Sequence, residues 1–155
     1  MKQPVRTLTN KLKEKKLTIS FAESMTCGLL SHKMGTVKGT SDFFRGSIVC
    51  YNERVKISVL KIRKSLIDTY TAESQQVTEQ LATNLQRIIP ADICAAVTGL
   101  ATAENESSKG AGTVYFAFVY KRKLYKAKKK FNGRPLIIRE KAMNYLFRFI
   151  SKSLK

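Results

Sequence analysis

One stretch constrains the fold more than any other: residues 112–120, GTVYFAFVY, are apolar on both alternating faces. A strand that buries one face alternates apolar with polar residues. One that is apolar throughout needs cover from both sides, as at the centre of a sheet held between helices. KRK then turns the chain into LYKAKKKF, in which Lys126, Lys128 and Lys130 fall on one face. Lysines on an exposed edge strand discourage edge-to-edge association, so this second strand reads as the rim of the sheet.

The remaining elements follow from periodicity. Val5, Leu8 and Leu12 recur at helical spacing and predict a short amphipathic helix over 4–15. LTISFA, residues 17–22, alternates like a strand, and residues 26–34 carry Leu29, Leu30 and Met34 on one side of a helix that stops at Gly35. Residues 43–51 form a second strand with a bulge or close backbone contact at Gly46, and 53–60 a short helix. Ser74 caps a helix with a Val77, Leu81, Leu85, Ile88 stripe that Pro90 ends. Residues 93–97 are a short apolar strand leading into Thr98-Gly99, and a last helix over 136–152 buries Ala142, Tyr145, Leu146, Phe149 and Ile150. This order predicts an α/β fold, a three-layer α/β/α sandwich with a mixed sheet. Nothing repeats and no linker interrupts the chain, so residues 1–155 are expected to form one domain.

Composition excludes several function classes. No apolar run approaches the roughly 20 residues of a membrane helix, and the N-terminus is charged where a secretory signal would be apolar, so a soluble, cytoplasmic protein without membrane partners is expected. Cys27, Cys50 and Cys94 are odd in number and sit in apolar contexts, which suits reduced thiols. His32 is the sole histidine, and no C-x-x-C or H-x-x-x-H spacing supports a metal site. The formal charge is +18, from 29 Lys and Arg against 11 Asp and Glu. Such a surface favours anionic partners, nucleic acid among them. The basic residues are scattered, however, with few aromatics placed to stack bases, so a solvated face is the preferred reading.

The first chemical candidate is 22–28, AESMTCG, where Ser24 sits between a strand end and a helix start. Ligands gather at the carboxyl ends of strands in open α/β sheets, and a helix N-terminus can hold an oxyanion. From spacing alone Ser24 is a nucleophile or simply a helix N-cap. A nucleophilic serine needs a base. His32 lies in the same segment, poorly placed for a triad, which leaves a lysine relieved of its charge by burial or a neighbouring cation. Spacing alone cannot choose among the many lysines; Lys56 stands out only by following the second strand closely. Cys27 is a rival nucleophile at the same helix start, though a cysteine there is more often core packing. Glu23 is placed to polarise a neighbour or bind an amide nitrogen. Cys50 and Cys94 read as core, and His32 as surface or packing.

Several blocks, taken in order, resemble the C-terminal domain of the CinA family, the nicotinamide mononucleotide deamidases. Residues 22–28 resemble A-E-S-C-T-G-G, and Gly39-Thr40-Ser41 through Phe44-Arg45-Gly46 resembles G-A-S-x-x-F-x-G-G. Residues 51–56 resemble Y-S-N-E-x-K, Ser74 to Val77 resembles S-E-E-V, and Val97-Thr98-Gly99 and Gly112-Thr113-Val114 resemble V-T-G and G-T-V. The resemblance implies hydrolysis of the carboxamide of nicotinamide mononucleotide, a small anionic nucleotide, with no metal and no cofactor. It implies Ser24 as nucleophile, Lys56 as general base, and Tyr51 and Thr98 as supporting polar residues. Arg139 would bind or orient the anionic substrate, with Glu23, Thr26 and Gly28 completing the binding motif. It also implies a homo-oligomer, in a form without the additional N-terminal domain of longer members. The chain departs from the family at Met25 and Cys27, in the rewritten loop over 102–109, and at Asn132-Gly133-Arg134, with Arg139 one residue further from Arg134 than expected. The competing reading is a non-catalytic or substrate-altered member acting as a basic binding protein.

Overall fold

The protein is seen in a computed structural model that describes residues 3–102 and 110–154. Along the chain lie α1 (Gln3–Glu14), β1 (Ile19–Glu23), α2 (Leu29–Gly35), β2 (Phe44–Val49), α3 (Glu53–Ser58) and α4 (Lys64–Tyr70). α5 (Gln75–Ile88), β3 (Ile93–Gly99), β4 (Thr113–Tyr120), β5 (Lys123–Lys130) and α6 (Pro135–Ser153) follow. The strands form one mixed sheet in the order β2-β1-β3-β4-β5. β1 runs parallel to both β2 and β3, whereas β4 is antiparallel to β3 and β5. The expected bulge is present: Ile19 pairs with Phe44 but Ser20 with Gly46, whose φ is 136°. β5 is the lysine-bearing rim, as its pattern requires.

The two faces of the sheet are built from different sizes of side chain. Ile19, Phe21, Val97, Phe116 and Phe118 pack with α1, α2 and α6 in one core. Ala22, Cys94, Ala96 and Ala117 make the other face, where small residues let Val77, Leu81 and Leu85 of α5 approach the backbone closely. Helices thus cover both faces, giving the three-layer α/β/α sandwich. On α6, Tyr145 and Phe149 are only partly buried and serve as ring partners, 4.8 Å from Phe116 and 5.1 Å from Phe118 between centroids. On α5, the Ser74 hydroxyl accepts from Val77 N at 3.3 Å as the N-cap, and Ile88 is exposed beyond the end of the buried stripe.

Two local readings need correction. α4 was not foreseen in the sequence; of its seven residues only Ile67 is buried, so it has no apolar stripe to betray it. α2 starts at Leu29 rather than 26, because the chain passes through the left-handed region at Cys27 (φ 50°) and Gly28 (φ 90°) first. Cys27 is exposed in this turn, not a core residue. A left-handed conformation costs a side chain about 1–2 kcal/mol that glycine avoids, partly offset by glycine's greater freedom when unfolded. Cys27→Gly should therefore stabilise the fold by about 0.5–1 kcal/mol, read as a higher urea midpoint at unchanged m.

Candidate active site

Because β2, β1 and β3 are parallel, their carboxyl ends emerge at one edge of the sheet. That edge holds the site, as the general rule for open α/β sheets anticipates. Ser24 comes one residue after β1, and its N–H donates to Val97 O at 3.1 Å, so the third strand fixes where it stands. Cys50 N donates to Glu23 O at 2.8 Å, carrying the β1–β2 pairing to the same edge before Asn52 caps α3 by accepting from Arg54 N. Lys56 lies one turn into that helix. Its side chain is fully buried and runs back to the strand ends, placing Nζ 3.0 Å from Ser24 Oγ and 3.3 Å from the Tyr51 carbonyl. Among the described residues no carboxylate pairs with it.

Ser24 stands on the wall of a cavity of about 250 Å³ whose lining includes Tyr51, Glu73, Gly99, Thr102 and Arg139. Arg139 enters from the first turns of α6, and its Nε donates to Met25 O at 2.9 Å. The guanidinium therefore fixes the residue after the serine while presenting positive charge to the cavity. Gly99 lets β3 lie close against β4 at the cavity wall: a Cβ there would overlap the Thr113 carbonyl oxygen. Met25 lines the cavity beside Ser24, and its N–H meets no acceptor among the described residues.

The other expected site residues stand elsewhere. Glu23 is completely buried and points away from Ser24, into the start of α2. Its Oε1 accepts from Ser31 N at 2.9 Å, Ser31 Oγ at 2.5 Å and Ser47 Oγ at 3.0 Å. Its Oε2 accepts from Thr26 Oγ1 at 2.9 Å and Leu30 N at 3.0 Å. Five protein donors occupy the carboxylate, and neither Glu23 nor Thr26 lines the cavity. The two residues instead tie the serine turn to α2. The same network overturns two further expectations: the α2 N-terminus is filled by Glu23 rather than open to an oxyanion, and its N-cap is Gly28, not Ser24. Gly28 has its role in that turn, outside the cavity lining. Thr98 is fully buried on the α5 side, 2.7 Å from Thr78 Oγ1. Since Thr78 spends its proton on Ser74 O, at 2.6 Å, Thr98 donates to Thr78 and has no proton left for the cavity.

Glu73, in the loop before α5, was not anticipated as a lining residue. Nothing in its local spacing distinguishes it from a solvated carboxylate. The thiols are poor rivals to Ser24: burial pushes Cys50 up to about 11 and also raises Cys94. Cys27 is exposed outside the cavity. The rewritten loop lines the cavity through Thr102, and residues 103–109 lie outside the described residues. No described helix is long and apolar enough to cross a membrane.

Fold and site together define a three-layer α/β protein with a buried serine–lysine pair at the carboxyl edge of its parallel strands. The family profile of the CinA C-terminal domain matches residues 2–154, and the chain belongs to that family. A CinA-like protein of Petrotoga mobilis is 33% identical over 142 residues, 91% of this chain but 35% of the relative. The chain thus spans about a third of that protein's length. Protein MG115 of Mycoplasma genitalium is 30% identical over 118 residues, 76% of this chain and 75% of the relative. Among solved structures, the competence or damage-inducible protein from Enterobacter asburiae superposes with a TM-score of 0.93 at 27% identity, covering 99% of this chain and 97% of its own.

Proposed function

We propose that this protein is a serine amidohydrolase that converts nicotinamide mononucleotide to nicotinate mononucleotide and ammonia. The observation that carries the reading is the 3.0 Å contact between a completely buried lysine amine and the hydroxyl of Ser24 at a cavity wall that also bears Arg139. An ammonium can only donate to Ser24; the free amine can accept its proton. In that form Lys56 takes the hydroxyl proton as Ser24 Oγ attacks the carboxamide carbon, and the developing oxyanion is met by the N–H group of Met25. The C–N bond then breaks, and the leaving nitrogen collects the proton from Lys56 and departs as ammonia. A water, deprotonated by the same amine, cleaves the resulting ester, and Ser24 recovers its proton as the carboxylate product leaves.

Arg139 supplies the positive charge that an anionic nucleotide needs, which favours the phosphorylated substrate over its free base. Pyridine-nucleotide salvage is a cytoplasmic activity, in keeping with three unpaired thiols. Purified protein is expected to release ammonia from nicotinamide mononucleotide faster than from nicotinamide riboside or nicotinamide, with release lost in Ser24→Ala. Ammonia from a different amide, also lost in Ser24→Ala, would keep the chemistry and replace the substrate. No release from any amide by folded protein would remove both.

A further inference from the structure

A second groove shares no lining residue with the serine–lysine cavity. Between the end of α4, the start of α5 and the outer face of β4 and β5 runs a groove of about 500 Å³, lined by Tyr70, Gln75, Gln76, Tyr115, Lys126 and Lys128. Tyr70 is 45% exposed, and Lys128 Nζ stands 5.3 Å from the ring centroid of Tyr115, its register partner across the β4–β5 pair. Lys126 reaches Glu79 of α5 at 3.1 Å. Lys126, Lys128 and Lys130 repeat along one face of a rim strand at about 6.7 Å, twice the rise per residue. Edge protection explains lysines on a rim. It does not explain two tyrosine rings set among them, nor a groove beside them.

From this juxtaposition we propose that the groove binds single-stranded nucleic acid, with phosphates along the lysine row and bases against Tyr70 and Tyr115. The chain's +18 charge supplies the long-range attraction. The rings supply what a featureless basic coat lacks, a surface on which unpaired bases stack regardless of sequence. A duplex keeps its base faces occupied by its own stacking and gains only the phosphate contacts. Glu79 competes with phosphate for Lys126, so the groove is partly self-neutralised when empty. The site does not depend on the amidohydrolase chemistry.

The test is fluorescence anisotropy of labelled oligothymidylate, with a duplex of equal length and polyglutamate as comparisons, between about 50 and 200 mM salt. The single strand should bind in preference to both. Tyr70→Ala, an exposed position that leaves the fold intact by circular dichroism, should weaken it about tenfold. Lys126→Ala with Lys128→Ala should flatten the log–log salt slope by about 1.4, two phosphates' worth for a single strand. Glu79→Gln should tighten binding more than Glu14→Gln, which changes the net charge equally on α1. Equal binding of single strand, duplex and polyglutamate with no effect of Tyr70→Ala would reduce the groove to part of a diffuse basic surface. Absence of binding at low salt would overturn the proposal outright.

Discussion

Lys56→Met is expected to lower kcat/KM for amide hydrolysis by about 10⁴-fold or more while the protein stays folded. Methionine matches the length and flexibility of the lysine stem, so the buried space around α3 stays filled and no cavity opens. What disappears is the amine that stands 3.0 Å from Ser24 Oγ. Removing a buried amine together with its desolvation cost is often neutral for stability, so the thermal midpoint should hardly move. Lys56→Arg separates the base from the charge. It keeps a cation near Ser24, yet a guanidinium does not give up its proton at working pH, so it should be as inactive as the methionine variant. Ser24→Ala should match both, and the Ser24→Ala/Lys56→Met double variant should be no worse than either single, because the two act as one unit. Measured kcat values within tenfold of wild type in either lysine variant would show that another group activates the serine.

How much of this was legible in the sequence varies with the length scale of each signal. β4 and β5 declared themselves through two-residue periodicity, and α5 through a stripe between a serine cap and a proline stop, because those patterns are local. Ser24 was legible as a residue at a strand end, but its separation from any helix start was not. The cause is Glu23, a side chain that reaches seven and eight residues ahead to cap α2 at Leu30 and Ser31. Thr26, which the resemblance puts in the binding motif, is recruited into that network as a donor. Lys56 stood out from so many lysines only by its nearness to the second strand and by the family resemblance, and its complete burial is what distinguishes it physically from the solvated ones. The resemblance puts the Thr98 hydroxyl in the pocket, yet a hydroxyl has a single proton and its partner is decided by Thr78, 20 residues away in sequence. Glu73 had no signal at all, since a loop carboxylate becomes a cavity residue only once the elements on either side are packed.

The same Glu23 network gives the second large effect, on stability rather than turnover. Glu23→Ala strips the acceptor from five donors at once, and all of them sit where β1, β2 and α2 meet. The hydroxyls of Thr26, Ser31 and Ser47 can turn toward other acceptors, but the backbone N–H groups of Leu30 and Ser31 cannot. Unpaired buried donors cost about 1–3 kcal/mol each before relaxation, so a loss of about 3–5 kcal/mol is expected, near the upper end for single substitutions. For a chain of this size that corresponds to a thermal midpoint lower by roughly 6–20 °C. Glu23→Gln preserves shape but sets an amide NH₂ against at least one of those donors and removes the charge that strengthens the bonds, so about 2 kcal/mol should go. The direction of the kinetic change then decides what Glu23 is for. A carboxylate that only holds the serine turn should lower kcat and stability together, with KM for the nucleotide little altered. A raised KM at unchanged stability would instead return Glu23 to the substrate and require the carboxylate to leave its five donors on binding.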